Sequence, residues 1–195
     1  MKIFIDLDDV LVDFSIAALA EVGCPVNSWS YRTNLSKWNP EWGFDIILAA
    51  NTLHPSKNFT REEFWNALPE RFWERLTETP EYKLILAHSY NLAGSENVFI
   101  LTAPTNQPYV AQAKMKWMQA NRPVPPEQLI ITKRKDACAD DTSLLIDDSD
   151  KNINAFVKAG GNALLVPRPW NSLHGIDTYG YLANAFRLME FARRS

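Results

Sequence analysis

The hydrophobic positions of this chain alternate between short, continuous apolar runs and longer stretches with one apolar face. Lys2 to Leu7 reads as a buried strand, and Val10 to Val22 as a helix stopped by Gly23. Regularity returns after Pro80. The pattern predicts a helix from Glu81 to Leu92 ending at Gly94, then a strand from Asn97 to Thr102. A helix near Gln107 to Ala120, a strand over Gln128 to Ile131 and a short helix after Lys135 follow. The strand Ser143 to Ile146 leads into Asp147-Asp148 and a helix reaching Lys158. Gly160-Gly161, a strand over Ala163 to Val166 and an amphipathic helix from Thr178 to Arg193 complete the series.

Strands that alternate with helices predict a parallel sheet covered on both faces, a doubly wound, Rossmann-like α/β fold. Between Cys24 and Phe72 the periodicity fades. Trp29, Trp38, Trp42, Trp65 and, at the edge, Trp73 make five of the seven tryptophans, so aromatic residues are concentrated there. Thr60 and Glu63 form a capping-box signature ahead of Phe64, Trp65 and Leu68. The division expected is a core of residues 1–23 and 73–195 with a small, mostly helical cap at 24–72. The cap tryptophans either build a core of their own or stack on a bound ring.

In a doubly wound sheet, ligands bind beyond the carboxyl ends of the strands. Asp6 and Asp8 end the first strand, Thr102 the second, and Asp147 and Asp148 a later one, while Lys133, Arg134 and Lys135 follow another. Pro167 to Asn171 leave the last strand at this edge, either as a wall of the site or as a plain loop. If the short helix starts near Lys135, that lysine sits in its first turn, where backbone N–H groups also favour an anion.

Crowded carboxylates repel one another and point to a cation. Mg²⁺ takes oxygen ligands from one or two carboxylates, water and substrate phosphate, and Asp6 and Asp148, with help around Asp8, supply the protein share. An ionised carboxylate can attack phosphorus, and a second carboxyl two residues on can protonate the leaving oxygen. Thr102 and the N–H groups after it suit phosphate oxygens, with a lysine to neutralise their charge.

Composition excludes other classes. The net charge is −3, so no extended nucleic-acid or anionic-membrane surface is expected, and a basic triplet is too short to make one. Hydrophobic residues at 46% and charged residues at 22% suit a soluble domain with a sizeable core. Asp6, Asp8 and Asp9 interrupt any leader-like start, and no apolar run approaches the roughly 20 residues needed to span a bilayer. Cys24 and Cys138 read as free thiols of a reducing compartment, so a cytoplasmic location is expected. The oligomeric state is open, a homodimer included.

The segments "DLDDVLVDF", "ILTAP", "ITKRKDACAD" and "SLLIDDSD" resemble, in order and spacing, the four motifs of haloacid dehalogenase (HAD) superfamily phosphohydrolases. Within it the chain resembles the 5′(3′)-deoxyribonucleotidase family, from 2 to 22 and from 97 to 167. The resemblance implies Mg²⁺-dependent hydrolysis of a small phosphomonoester, a nucleoside monophosphate, through an aspartyl-phosphate. It makes Asp6 the nucleophile and Asp8 the acid/base whose backbone carbonyl also binds the metal. Thr102 and Ala103 become the phosphate-binding motif, Lys135 the charge-stabilising lysine, Asp148 the remaining metal ligand, and Phe14 an aromatic facing the substrate. Asp147 would orient the lysine or a metal-bound water. Asp9 replaces the family's usual glycine, Ala103 stands where Ser is frequent, and the loop from Lys135 to Asp147 is longer. Two other readings use similar parts. One is a related phosphatase acting on a polynucleotide end or a small metabolite. The other, a receiver-like phospho-switch, is disfavoured by the motif order and the aromatic insertion.

Overall fold

The computed structural model describes residues 1–26 and 37–194. Five parallel strands form the sheet: β1 (Lys2–Ile5), β2 (Val98–Thr102), β3 (Leu129–Ile131), β4 (Ser143–Asp147) and β5 (Asn162–Leu165), in the order β3-β2-β1-β4-β5. β1 is central, with Ile3 opposite Val98 on one side and Leu144 on the other. The chain builds outward to β3, then crosses back to β4 and β5, so the strand order reverses beside β1. That reversal leaves the crevice in which this class of sheet holds its ligands.

Both faces are buried, which is why the strands read as unbroken apolar runs. Ile3 and Ile5 share the larger core with Ile100 and Ile146; Phe4, Leu101 and Leu145 pack on the opposite face against Phe156. Among the described residues the helices are α1 (Ser15–Glu21), α2 (Ile46–Leu53), α3 (Arg61–Asn66), α4 (Glu70–Glu74), α5 (Tyr82–Ala93), α6 (Tyr109–Asn121), α7 (Asp150–Lys158) and α8 (Thr178–Arg194). The short helix expected after Lys135 is a 3-10 helix that includes it, Lys135–Cys138.

The first helix is shorter than its pattern. Val10, Leu11 and Val12 are fully buried, but in a tight loop. Leu11 and Val12 both donate backbone N–H bonds to Leu7 O (2.9 and 3.0 Å), and Asp9 N donates to Val12 O at 2.7 Å. Asp9 has φ of 57°, a left-handed conformation that turns the chain into this loop, and beyond it Asp13 N donates to Thr77 O rather than within a helix. Aspartate tolerates this conformation and glycine prefers it, which explains why glycine is usual there in the family that the chain resembles. The Asp9 carboxylate also accepts the Ser15 N–H at 2.9 Å, which holds the start of α1.

In the segment before α5, local signals decide the elements. Asp45 Oδ1 accepts the N–H groups of Ile47 and Leu48 (3.0 and 3.1 Å) and starts α2. The expected capping box is present: Thr60 Oγ1 accepts Glu63 N at 3.2 Å, and Glu63 Oε2 accepts Thr60 N at 2.8 Å. The end of the segment is tied to α6 through Tyr109 OH to Leu68 O (2.8 Å), Trp117 Nε1 to Leu76 O (2.8 Å), and Lys116 between Glu70 and Glu74. Trp29, one of the aromatics assigned to the cap, lies outside the described residues.

Candidate active site

The carboxyl ends of β1, β2 and β4 and the turn after β3 meet at a cavity of about 850 Å³. Asp6, Asp8, Lys135 and Asp148 line it, together with Ala103 and Phe14. Asp6 Oδ1 accepts the Leu7 N–H at 2.8 Å and lies 2.7 Å from Lys135 Nζ. Its other oxygen takes no hydrogen bond from the described residues.

Lys135 is buried between two carboxylates, 2.7 Å from Asp6 and 2.7 Å from Asp147. Burial alone would depress its pKa, but the two negative charges outweigh it and hold the ammonium above the ordinary lysine range. The choice among the three basic residues is therefore visible in the geometry. Lys133 is exposed and donates to Asn106 Oδ1 at 2.9 Å, and Arg134 is exposed and paired with Asp136 at 2.7 Å.

Asp147 is fully buried and saturated. Its Oδ2 accepts from Lys135 (2.7 Å), its Oδ1 from Ser149 N (2.9 Å), and Asn152 Nδ2 reaches both oxygens at 3.1 Å. Among the described residues the Asp148 carboxylate is engaged on one side only: Trp170 Nε1 donates to its Oδ2 at 2.6 Å. Burial, and then the charges of Asp147, Asp9 and Asp6, push the Asp148 carboxyl well above its usual range. A cation would relieve that crowding. Asp6, Asp147 and Asp148 can each bring one oxygen within 4.8 Å of the others, close enough to share an ion.

One residue central to the site was not anticipated. Lys114 on α6 is 1% exposed and donates to Asp8 Oδ2 (2.5 Å), Thr102 Oγ1 (2.8 Å) and Ala103 O (2.9 Å). Its ammonium also lies 5.5 Å from the centre of the Trp73 ring. Thr102 is thus fully buried with its hydroxyl turned to a lysine, whereas Ala103, Pro104 and Thr105 line the cavity. Asp8 Oδ1 is buried with no hydrogen-bond partner among the described residues. Burial raises the Asp8 carboxyl above its normal range against the pull of Lys114, with Asp6 adding to the rise. A sequence signal for Lys114 exists: it shares the buried stripe of α6 with Val110, Ala113 and Trp117, an apolar face where a lysine needs a partner.

Aromatic rings form one wall. Phe14 lies nearly parallel to Trp73 (centroids 5.1 Å, 18°) and to Trp65 (5.9 Å, 9°). Trp38 and Phe44 contribute to the lining on another side, each edge-on to Trp170.

Solved structures share this arrangement of strands and helices. A hydrolase from Streptococcus pneumoniae TIGR4 aligns with a TM-score of 0.53 at 14% identity, over 95% of this chain and 97% of that one. A dehalogenase solved as an intermediate complex gives 0.53 at 11% identity over 96% of both chains. The magnesium-bound HAD-hydrolase YfnB from Bacillus subtilis gives 0.52 at 14% identity, over 85% of this chain and 86% of that one. No curated protein sequence matches significantly. The fold is that of the HAD hydrolases. Within that class, the model of the family "5′ nucleotidase, deoxy (pyrimidine), cytosolic type C protein (NT5C)" matches residues 1–180. The chain belongs to this family and is a phosphatase of the 5′-nucleotidase type.

Proposed function

We propose that the chain is a Mg²⁺-dependent 5′(3′)-deoxyribonucleotidase that cleaves (deoxy)nucleoside monophosphates through an aspartyl-phosphate on Asp6. The observation that carries this reading is Asp6 itself. One oxygen is fixed by Leu7 N–H and Lys135, the other takes no hydrogen bond from the described residues, and the residue borders a cavity walled by parallel aromatic rings. That oxygen attacks phosphorus as the P–O bond to the sugar breaks, and protonated Asp8 delivers its proton to the departing oxygen. Asp8 then takes a proton from water, which attacks the phosphoryl group and returns Asp6 as a carboxylate. Lys135 neutralises charge on the phosphoryl oxygens, and backbone N–H groups after Thr102 hold them. Lys114 keeps Asp8 aimed at the cavity. Phe14 and Trp65 offer flat faces to a nucleobase.

The acids fit a divalent ion. Four carboxylates share the site with two buried ammonium groups, so negative charge is left uncompensated. Asp6, Asp148 and the carbonyl of Asp8 would hold the ion, while saturated Asp147 serves the lysine. When bound, Mg²⁺ polarises the phosphoryl oxygens and offsets their charge. The magnesium-bound Bacillus hydrolase supports this choice of cation. Residues 24–72 act as the cap that selects substrate. The cytosolic family description supports a cytoplasmic location. No helix among the described residues is long and apolar enough to cross a membrane.

Phosphate release should be screened across nucleoside 5′- and 3′-monophosphates, ribo and deoxy, beside a sugar phosphate and an aryl phosphate. Deoxynucleotides should give the highest kcat/KM, and EDTA should abolish release. A preference for the sugar phosphate would remove the nucleotide reading, and activity surviving EDTA would remove the metal.

The acid role of Asp8 has its own signature. Asp8→Asn should slow poor leaving groups by roughly 10²–10⁴-fold, the usual range for general acid catalysis. An activated aryl phosphate, whose leaving group needs little protonation, should suffer less. Equal slowing of both substrates would show that Asp8 does not donate the proton.

A further inference from the structure

We propose that Trp170 is a positioning residue that ties the cap aromatics to the metal-binding carboxylate Asp148, so that one indole serves both ends of the site. The inference rests on the Mg²⁺ reading above and adds a residue to it. Trp170 is buried and borders the cavity. Its ring N–H donates to Asp148 Oδ2 at 2.6 Å. Among the described residues no donor takes the other oxygen of Asp148. The indole therefore selects which oxygen remains for a cation and fixes the plane of the carboxylate. Hydrogen bonds of this outer kind orient ligands and tune affinity in metal sites.

The ring also packs against aromatics of the cap. Trp38 meets Trp170 edge-on at 4.9 Å and 64°, and Phe44 at 6.2 Å and 89°. Trp38 itself packs against Trp42 at 5.4 Å. These residues lie before α2, far in sequence from the sheet edge, and Trp170 is their link to an acid of the sheet.

The loop that carries Trp170 is rigidly framed. Asn171 Nδ2 donates to the backbone carbonyls of Asp148 and Val166, both at 2.8 Å. Its Oδ1 accepts the N–H groups of Arg168 and Leu173. Arg168 Nε donates to Asp9 O at 2.8 Å, which ties the same loop to the segment bearing Asp8. The Trp170 ring cannot shift without disturbing Asp148, and movement of Trp38 changes the packing that holds the ring. A ligand pressing on the cap would then alter the cation site, and by reciprocity the cation would alter affinity for that ligand.

The test separates the N–H from the ring. Trp170→Phe keeps an aromatic edge for Trp38 and removes the donor; Trp170→His restores a ring N–H. Mg²⁺ binding is measured by calorimetry on the substrate-free protein, with folding checked by thermal melting. Trp170→Phe should weaken Mg²⁺ binding by roughly 10–100-fold, the range for outer-sphere partners of metal ligands. Trp170→His should recover part of the loss. Trp38→Ala should weaken Mg²⁺ binding several-fold in the wild-type background and not at all in Trp170→Phe, the non-additivity expected of a shared path. Wild-type Mg²⁺ affinity in a folded Trp170→Phe overturns the anchoring role, and additive effects of the two substitutions overturn the link to the cap. If the wild-type protein binds no Mg²⁺, the metal reading falls and takes this inference with it.

Discussion

Asp6→Asn should leave a folded protein with almost no turnover. The substitution keeps an oxygen for the Leu7 N–H (2.8 Å in the native chain) but removes the negative charge of the proposed nucleophile. By analogy with loss of the nucleophile in another hydrolase, the fall in kcat should be on the order of 10⁴–10⁶-fold, about 5–8 kcal/mol of lost transition-state stabilisation. Stability should move the other way in metal-free protein. Asp6 is one of the charges that push Asp148 upward, so neutralising it relieves repulsion, and Tm should hold or rise. Lys135 keeps Asp147 as a partner at 2.7 Å and remains paired. Two measurements decide the matter. Rapid acid quench with labelled substrate should trap phosphoprotein in the wild type and none in the variant, and steady-state release should fall as stated. A variant free of contaminating phosphatase that retains full activity would end the covalent mechanism.

The residues that make this prediction possible were legible because of where they stand. Buried parallel strands write themselves as apolar runs, so the polar residue that ends each run, Asp6, Thr102 or Asp147, marks the sheet edge on which ligands bind. The first helix was less legible. Val10 to Val12 are as buried as a helical face would make them, but their backbone is engaged elsewhere: Val12 O accepts Asp9 N–H and Asp13 N–H donates to Thr77 O, so the helix starts only at Ser15. The four acids of the opening run also divide in a way spacing does not reveal. Asp6, Asp8 and Asp9 all border the cavity, but the Asp9 carboxylate is taken up by Ser15, and Asp13 is buried beside the start of α1. Burial raises Asp9 to about 7 and Asp13 to about 6, so both favour their protonated forms in the folded chain more than in the unfolded one. Their contribution to stability is present below the ordinary aspartate range and is lost as pH rises through those values. Lys114 and Trp170 were hidden for another reason. Lys114 finds Asp8 106 residues away, and Trp170 finds Asp148 across 22 residues and a strand. Such pairings exist only after the sheet is assembled.

Lys135→Ala should reduce kcat by roughly 30- to 1,000-fold, on the scale of removing one preorganised donor to a developing oxyanion, about 2–4 kcal/mol. Lys133→Ala should stay within a few-fold of wild type, because its ammonium is exposed and bonded to Asn106. The contrast follows from burial. Lys135 is 4% exposed and sits between Asp6 and Asp147, so its charge reaches a bound phosphoryl group with little screening by water. Truncation also leaves those two carboxylates facing each other without a counter-charge, and the metal-free variant should lose stability. The Mg²⁺ of the proposed mechanism would supply positive charge near the same carboxylates, so it should raise Tm more in Lys135→Ala than in the wild type. The pH profile adds a check. The lysine is held above its ordinary range, and a raised group of this kind keeps its proton, and its stabilising charge, until pH exceeds the raised value. In the wild type, kcat should therefore show no loss from this group between pH 6 and about 10, the ordinary lysine value. A large fall at Lys133 with Lys135→Ala near wild type would move the phosphate-binding charge two residues toward β3. It would also leave the buried lysine as a structural clamp between Asp6 and Asp147.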